Sequence, residues 1–170
     1  ADVPCHDLQT PEQVSSMVFL CQNNEGYKNL TCLVSKAYQE GQYQGQPRVQ
    51  YHWIAEYSEG LIVLSGGISG DIGQAILAND MVLAKSRAKH WQSIFPNRFY
   101  LEIQRTGRAD ESFYNERLIR LADELQLPLV ATNDVRFIDK ADFDAHEARV
   151  CIHDGFTLAD PRREKRYSAQ

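Results

Sequence analysis

The stretch SMVFLCQNNEGYKNLTCLVSKAYQEG, residues 16–41, contains one complete strand-and-helix unit. Residues 16–22 are a short and nearly continuous apolar run, which is typical of a strand buried on both faces. Asn23 or Asn24 can cap the helix that follows, and Gly41 ends it. Four apolar residues share one face of that helix and predict the side that packs on the core: Tyr27, Leu30, Val34 and Tyr38.

The same order of strand and helix recurs along the rest of the chain. Three further units are predicted: a strand at 61–64 with helices at 70–80 and 80–95, a strand at 98–104 with a helix that Asp110 can cap, and a buried strand at 129–132 with a helix at 142–152. Residues 42–48 are expected to form a loop. The apolar positions of the two longest helix patterns recur at helical spacing: Leu77, Met81, Ala84, Ala88, Trp91 and Phe95 in one, Tyr114, Leu118, Leu121, Ala122 and Leu125 in the other.

Strands that alternate with helices predict an α/β fold built from parallel βα units. In such folds ligands meet the loops at the carboxyl ends of the strands. We therefore expect any functional site to be built from four loops: residues 22–24, 65–67, 102–106 and 132–136.

The composition favours one ordinary domain in a reducing compartment. The chain has 170 residues, of which 43% are hydrophobic, and its net charge of −5 argues against a general grip on nucleic acid. The longest apolar runs are too short to cross a bilayer, and the first ten residues do not resemble a secretory signal. None of the four cysteines forms a Cys-x-x-Cys pair, so we predict no disulfide framework and a cytoplasmic location.

The stretch PLVATNDVRF, residues 128–137, ends a predicted strand in a polar cluster. Asp134 there and Glu102 after the preceding strand are the carboxylates of the expected loops, and hard divalent ions bind carboxylate oxygens. An Asp two residues before a His would suit a metal ion, but Arg136 occupies that second position. Arg136 is expected to pair with Asp134 or Glu102, or to point to solvent, and Arg105 and Arg108 are expected nearby.

The histidines and glycines of the chain give no established catalytic motif. None of the five histidines lies in the four loops, and His146 and His153 share a helical face as a ligand pair or, as we favour, a solvent-facing or capping pair. The stretch SGGISGDIG, residues 65–73, resembles a nucleophile elbow or a phosphate-binding loop but has neither Gly-x-Ser-x-Gly nor the Walker spacing. We favour a tight strand-to-helix turn there.

Several long motifs together carry a family resemblance: YLEIQRTGR, ATNDVRFID, DFDAHEARV and IHDGFTLADPRR. The chain resembles the alpha subunit of bacterial DNA polymerase III, the C-family replicative polymerase, and more narrowly its polymerase-and-histidinol-phosphatase (PHP) domain. The resemblance implies an incomplete distorted (β/α)7 barrel whose first strands are missing. Residues 1–155 would be a partial PHP domain, and residues 156–170 the start of a linker toward an absent polymerase palm.

The resemblance also implies that a metal site has degenerated. Metal-binding members place a Cys after the strand like LIVLSG, a His in the loop like EIQRTG, and an Asp-x-His after ATN. This chain has Gly67, Thr106 and Arg136 at those places, Asp2 where such members tend to have Glu, and Asp134 with Glu102 beside it. We therefore expect these six positions to be vestigial, with no catalytic residue and no bound metal in this segment.

The function implied by the resemblance belongs in part to the parent chain, which would carry out DNA-templated DNA synthesis with Mg²⁺ in its own site and contact DNA. This segment would be a non-catalytic scaffold that docks the proofreading exonuclease (epsilon) subunit beside other holoenzyme subunits. The alternatives are a metal-dependent phosphoesterase or 3′–5′ proofreading exonuclease, and a free-standing phosphatase of the same superfamily. Exposed sheet edges left by missing strands predict some self-association.

Overall fold

A computed structural model of the protein describes residues 2–6, as backbone alone, and residues 14–163. Its strands are β1 (Asp2–His6), β2 (Ser15–Cys21), β3 (Gln42–Tyr43), β4 (Gln46–Pro47), β5 (Val49–Gln50), β6 (Leu61–Leu64), β7 (Phe99–Gln104) and β8 (Leu129–Thr132). Its helices are α1 (Asn24–Gln39), α2 (Tyr51–Glu56), α3 (Asp71–Leu77), α4 (Met81–Ile94), α5 (Glu111–Leu125) and α6 (Phe143–Asp154). Two short 3-10 turns, Gly67–Ser69 and Lys140–Asp142, precede α3 and α6.

The main sheet has six strands in the order β5-β1-β2-β6-β7-β8. β6, β7 and β8 are parallel neighbours, which confirms an α/β fold with parallel βα units in this half. β2, however, pairs antiparallel with both β1 and β6, so an all-parallel sheet was the wrong prediction. The predicted barrel with seven strands stays a prediction.

The antiparallel pairing of β2 with β6 follows from the connection between them. A parallel crossover uses one returning segment, but the connection here contains α1, the hairpin of β3 and β4, strand β5 of the same sheet, and α2. The chain consequently comes back to the end at which β2 stopped, where the backbone N–H of Gln22 donates to the carbonyl of Gly60 (2.8 Å). β6 then has to run in the direction opposite to β2.

Only one face of β2 is fully buried, which corrects the prediction of burial on both faces. Met17 and Phe19 are buried, whereas Leu20 at the end of the strand is 46% exposed. β8 also departs from the prediction of a buried strand, because it is the edge of the sheet and Leu129 is 39% exposed. Parallel strands are buried on both faces only where helices cover both faces.

Helix α1 begins as predicted but buries a different face. Asn23 is its N-cap, and its side chain accepts a hydrogen bond from the backbone N–H of Gly26 (2.9 Å). The buried residues are Gly26, Leu33 and Ala37. Of the predicted core face, Leu30 is half-buried against the core, whereas Tyr27, Val34 and Tyr38 are exposed. A Cβ atom at position 26 would lie 1.8 Å from the carbonyl oxygen of Gly60. Helix α1 therefore packs against the backbone at Gly60 through Gly26, which has no side chain.

Residues 42–48 form a short hairpin instead of the predicted loop. β3 and β4 pair antiparallel, and the two residues between them, Gln44 and Gly45, have φ of 51° and 78°. Two consecutive positive φ angles are typical of the two-residue turns that match the twist of a hairpin. The sequence offered little signal here because each strand has only two residues.

The core lies between the sheet and the helices α1 to α5, since α1 and α2 contribute Leu33, Ala37, Trp53 and Ile54 to it. Four of the six apolar positions predicted at 77–95 are buried: Ala84, Ala88, Trp91 and Phe95. Met81 is partly buried against the core, whereas Leu77 belongs to α3 and is 37% exposed, so that position was wrong. No helix within residues 14–163 is long and apolar enough to cross a membrane. After α6, Arg163 forms an ion pair with the buried Glu147, while residues 164–170 of the predicted linker lie outside the described part of the chain.

Asp71, the first residue of α3, is a buried carboxyl group within this core. It is 2% exposed and accepts hydrogen bonds from Nε1 of Trp91 (2.9 Å) and from the backbone N–H of Ile72 (2.7 Å). Burial raises the pKa of Asp71 above its ordinary value of 3.8, although these hydrogen bonds and Arg87 act in the opposite direction. The folded protein therefore favours the protonated form more than the unfolded chain does.

We expect the contribution of Asp71 to stability to fall as the pH rises. Because its pKa is higher in the folded state, that contribution is complete below the ordinary value of 3.8 and is lost as the pH passes through the folded-state value. Each unit of pKa difference corresponds to about 1.4 kcal/mol. Urea unfolding of the wild type and Asp71→Asn between pH 3.5 and 7 gives the measurement. The free energy of unfolding of the wild type should fall relative to that of the variant as the pH rises, and a difference that is constant with pH would contradict this expectation.

Candidate functional site

Three of the four predicted loops come together at the edge of the sheet that is formed by the carboxyl ends of its parallel strands. β6, β7 and β8 run in parallel, and Gln104 and Thr132, the last residues of β7 and β8, lie opposite each other. The last residue of β6, Leu64, lies opposite Tyr100, so the loop after β6 lies beside Glu102 of β7. The loop at residues 22–24 lies at the other edge, because Cys21 pairs with Leu61 at the start of β6. Its inclusion in the site was wrong, and the reason is the antiparallel direction of β2.

Asp2 lies level with the same edge, as far as its backbone shows. Asp2 is in register with Val18 of β2, and Val18 is in register with Leu64 of β6. Its backbone is therefore two strands away from the end of β6, which is roughly 10 Å at the usual strand spacing. The side chain of Asp2 lies outside the described residues.

The side chain of Glu102 is the centre of this edge. Glu102 is 4% exposed, and its Oε2 atom accepts a hydrogen bond from the backbone N–H of Gly66 (3.1 Å). Its Oε1 atom accepts from Nε2 of Gln104 (3.1 Å) and from the hydroxyl of Thr132. One carboxylate thus joins the loop after β6, strand β7 and the end of β8, and we call these four residues the Glu102 network.

Neighbouring polar groups hold the backbone of Glu102 in place. Its N–H donates to Oγ of Ser65 (2.9 Å), and its carbonyl oxygen accepts from the hydroxyl of Tyr114 on α5 (2.8 Å). Burial raises the pKa of the Tyr114 hydroxyl, and the negative charge of Glu102 adds to the rise. Tyr114 therefore stays protonated and remains a hydrogen-bond donor at neutral pH.

Asp134 is held between two arginines. Oδ1 of Asp134 lies 2.7 Å from Nη2 of Arg136, and Oδ2 accepts a hydrogen bond from Nη2 of Arg108. The prediction that Arg136 pairs with Asp134 is confirmed, whereas Arg105 is exposed. Both oxygens of this carboxylate are engaged by positive charges, which a cation would have to displace.

Thr106 and Gly67 do not offer ligands to a metal ion at this edge. The hydroxyl and the backbone N–H of Thr106 both donate to the carboxylate of Glu111, as does the N–H of Gly107 (2.9 Å). Glu111 therefore binds the loop before α5, and the predicted side-chain cap by Asp110 is absent from the hydrogen bonds of this helix start. A Cβ atom at Gly67 would lie 3.5 Å from Oε1 of Gln104, so this residue faces the Glu102 network.

The two histidines of α6 lie in different surroundings and do not form the solvent-facing pair that we favoured. His146 is buried, with its ring 5.5 Å from that of Phe137, whereas the side chain of His153 is 88% exposed and bonds Asp154. Across residues 14–163, no three His, Cys, Asp or Glu side chains are grouped as a metal site requires. The residues present at this edge do not fit the metal cluster that the family pattern implies.

Sequence reasoning found the two carboxylates but missed the neutral partners of Glu102. Gln104, Thr132 and Tyr114 are neutral side chains with no catalytic signature, and nothing in their spacing marks them. The available signal was their position, since Gln104 and Thr132 are each the last residue of a strand that ends at this edge. Polar residues at that place have a defined set of neighbours in a parallel sheet.

Comparison with known proteins gives one consistent result. A sequence model of the PHP domain matches residues 5–106, which is more than half of the chain. The chain is 49% identical over 159 residues to the DNA polymerase III subunit alpha of Escherichia coli K12, 47% over 168 residues to that of Vibrio cholerae, and 44% over 170 residues to that of Haemophilus influenzae.

These alignments cover 94%, 99% and 100% of this chain but only 14% or 15% of the relatives. The chain thus spans about one seventh of the length of the proteins it matches, and the match is confined to a PHP region. These matches confirm the resemblance to the PHP domain of DNA polymerase III alpha subunits that the sequence motifs indicated. On the extent of these matches, the chain belongs to the PHP domain family.

Proposed function

We propose that the chain is a PHP segment of the alpha subunit of a bacterial replicative DNA polymerase. The observation that carries this proposal is its identity of 44–49% to three such subunits over nearly its whole length. The parent protein would be a nucleotidyltransferase that extends DNA on a template in the cytoplasm. Its Mg²⁺ site would lie in the part of the polymerase that this chain does not span.

Within that polymerase, we propose a scaffolding role for the segment and not a catalytic one. Glu102 already accepts from three protein donors, and Asp134 is engaged by Arg108 and Arg136. Metal-assisted hydrolysis needs a fixed coordination shell with an open position for water. Carboxylates that are fully occupied by protein donors support a structural use of the same edge.

We expect the purified protein to contain far less than one equivalent of zinc or manganese per chain. Elemental analysis after dialysis against each ion is the measurement, because protein donors already satisfy both carboxylates. The double variant Thr106→His and Arg136→His restores two histidines of the metal-binding pattern and serves as the comparison. It removes the Arg136 contact to Asp134 and should retain more metal than the wild type.

The competing function is a metal-dependent phosphoesterase or 3′–5′ proofreading exonuclease. It would replace the scaffolding proposal if the wild type held two or three metal ions and hydrolysed a phosphodiester in their presence. Loss of that hydrolysis in Asp134→Ala, with unchanged thermal stability, would assign it to this edge. Hydrolysis that survives the substitution would point to a contaminating enzyme.

The partner that we propose for the scaffold is the proofreading exonuclease subunit of the same holoenzyme. We expect saturable binding with one exonuclease per chain in isothermal titration calorimetry. An exonuclease from an unrelated DNA-repair system is the control. Saturable binding of the control, or no heat with the cognate subunit at about 100 µM of each protein, would contradict the proposed partner while leaving the family membership intact.

A further inference from the structure

Helix α1 carries an apolar stripe that the fold leaves in solvent. Tyr27, Val34 and Tyr38 are 67%, 37% and 63% exposed, and Thr31 between them is also exposed. Their spacing of four, three and four residues aligns them along one side of the helix. This stripe is separate from the buried side of α1, which Gly26 marks.

The stripe is symmetric about its own centre. Its midpoint lies between residues 32 and 33, so Tyr27 and Tyr38 are equidistant from it, as are Thr31 and Val34. If two such helices pack antiparallel around a two-fold axis, Tyr27 of one copy meets Tyr38 of the other, and Thr31 meets Val34. A surface with this property is complementary to itself, which is the condition for an isologous interface.

The flanks of the stripe do not oppose such a pairing. In the antiparallel arrangement Lys28 of one copy faces the neutral Ser35 of the other. On the opposite flank, Leu30 is neutral, half-buried and packed against the core. Lys36 turns away from the stripe, since its ammonium group lies 5.1 Å from the ring centre of Trp53. No like charges therefore meet along the seam.

We propose that two copies of this chain associate through an antiparallel pair of α1 helices, with Tyr27, Thr31, Val34 and Tyr38 as the seam. One helix pair buries less surface than the roughly 1,200–2,000 Å² of a standard stable interface, so the association is weak and depends on concentration. It does not involve the edge of β8, and it is independent of the proposed scaffolding role.

Complementary charges at the seam provide the test. Thr31→Lys and Val34→Glu each place a charge opposite an apolar or neutral residue of an identical copy, so each variant alone should stay near 19.4 kDa in sedimentation equilibrium. The wild type should rise toward twice that mass with concentration. An equimolar mixture of the two variants should regain the rise, because the introduced lysine of one chain then faces the introduced glutamate of the other.

Folding and geometry are controlled in the same experiment. Val82→Glu on α4, at a residue that is 83% exposed, should leave the association of the wild type unchanged. Circular dichroism of each variant should match the wild type. The Thr31 side chain is exposed, and its hydroxyl donates a hydrogen bond to the carbonyl of Tyr27 in the same helix. A parallel pairing would leave the mixture monomeric and would overturn the proposal.

A wild type that stays monomeric at millimolar concentration would also overturn it. In that case the stripe would have a different occupant, such as an amphipathic helix of another protein. Wild-type association that persists in both single variants would assign the contact to another surface, and this too would contradict the α1 seam.

Discussion

Replacement of Gly66 by Ala should lower the free energy of unfolding by roughly 4 kcal/mol or more, which is the range of the most damaging single substitutions. Gly66 has a φ of +75°, and a Cβ atom there would lie 1.9 Å from the carbonyl oxygen of Ser16. That oxygen belongs to β2, where Ser16 is in register with Pro4 of β1 and the next residues of the strand pair with β6 from Val18 on. Neither the loop nor the strand can move without breaking pairing, and urea unfolding is the measurement.

Gly45→Ala separates the two causes of that effect. Gly45 has a similar φ of +78°, but no atom lies within 4 Å of the position where its Cβ would be built. Only the cost of a left-handed backbone remains there, about 1–2 kcal/mol. Equal losses in the two variants would mean that the backbone near Gly66 relaxes, and that close contact with β2 contributes little.

Glu102→Ala should be the second most damaging change, with a loss of about 3 kcal/mol or more, because three hydrogen bonds to a buried carboxylate are lost. The substitution removes the acceptor of the Gly66 N–H and of the Thr132 hydroxyl, and one of the two acceptors of the Gln104 amide, which also donates to the Thr132 hydroxyl. We also expect faster hydrogen exchange at the ends of β6 and β8, because the carboxylate joins them to β7. Chemical unfolding and exchange measured by mass spectrometry give the two readouts.

Two further variants interpret the loss at position 102. Glu116→Ala removes a carboxylate from the exposed face of α5, where Glu116 pairs with Arg120, and should cost less than about 1 kcal/mol. Glu102→Gln keeps one acceptor oxygen and the shape of the side chain, so its loss should lie between those of the two alanine variants. If Glu102→Ala loses no more free energy of unfolding than Glu116→Ala does, the Glu102 network does not hold the strand ends.

The sequence predicted most strands and helices because apolar runs and helical spacing are local properties. β6, β7, α3 and α5 lie where these patterns place them. Strand direction is not local: the same run of residues 16–22 reads alike in a parallel or an antiparallel pair. The connection between β2 and β6 contains the two-residue strand β5 and the six-residue helix α2, which gave little signal in the sequence.

The face that α1 buries was also beyond the reach of the pattern. Tyr27, Val34 and Tyr38 are the larger apolar residues, so they predict the core side, yet the helix packs through Gly26, Leu33 and Ala37. Close approach of two backbones at Gly26 and Gly60 decides the orientation, and it requires small residues instead of large ones. Spacing alone records apolar character and does not record how closely two segments approach.

In the candidate site too, the sequence indicated some of the contacts and not others. Charge alone left Asp134, Glu102 and solvent open for Arg136, and in the structure Arg136 pairs with Asp134. The donors to Glu102 were not found, because an amide and a hydroxyl become informative only when three strand ends are known to be adjacent. Charge is visible in a sequence, whereas neutral hydrogen bonding needs the neighbours.

The Glu102 network has a consequence for the physiology of the protein. Because side-chain and backbone donors bind this carboxylate, the junction of β6, β7 and β8 is complete as soon as the chain has folded. A relative that ties the same junction with ions would depend on their supply in the cell. This segment should therefore keep its shape when zinc or manganese is scarce, and the scaffold proposed above, if that is its role, would then not depend on the supply of either ion.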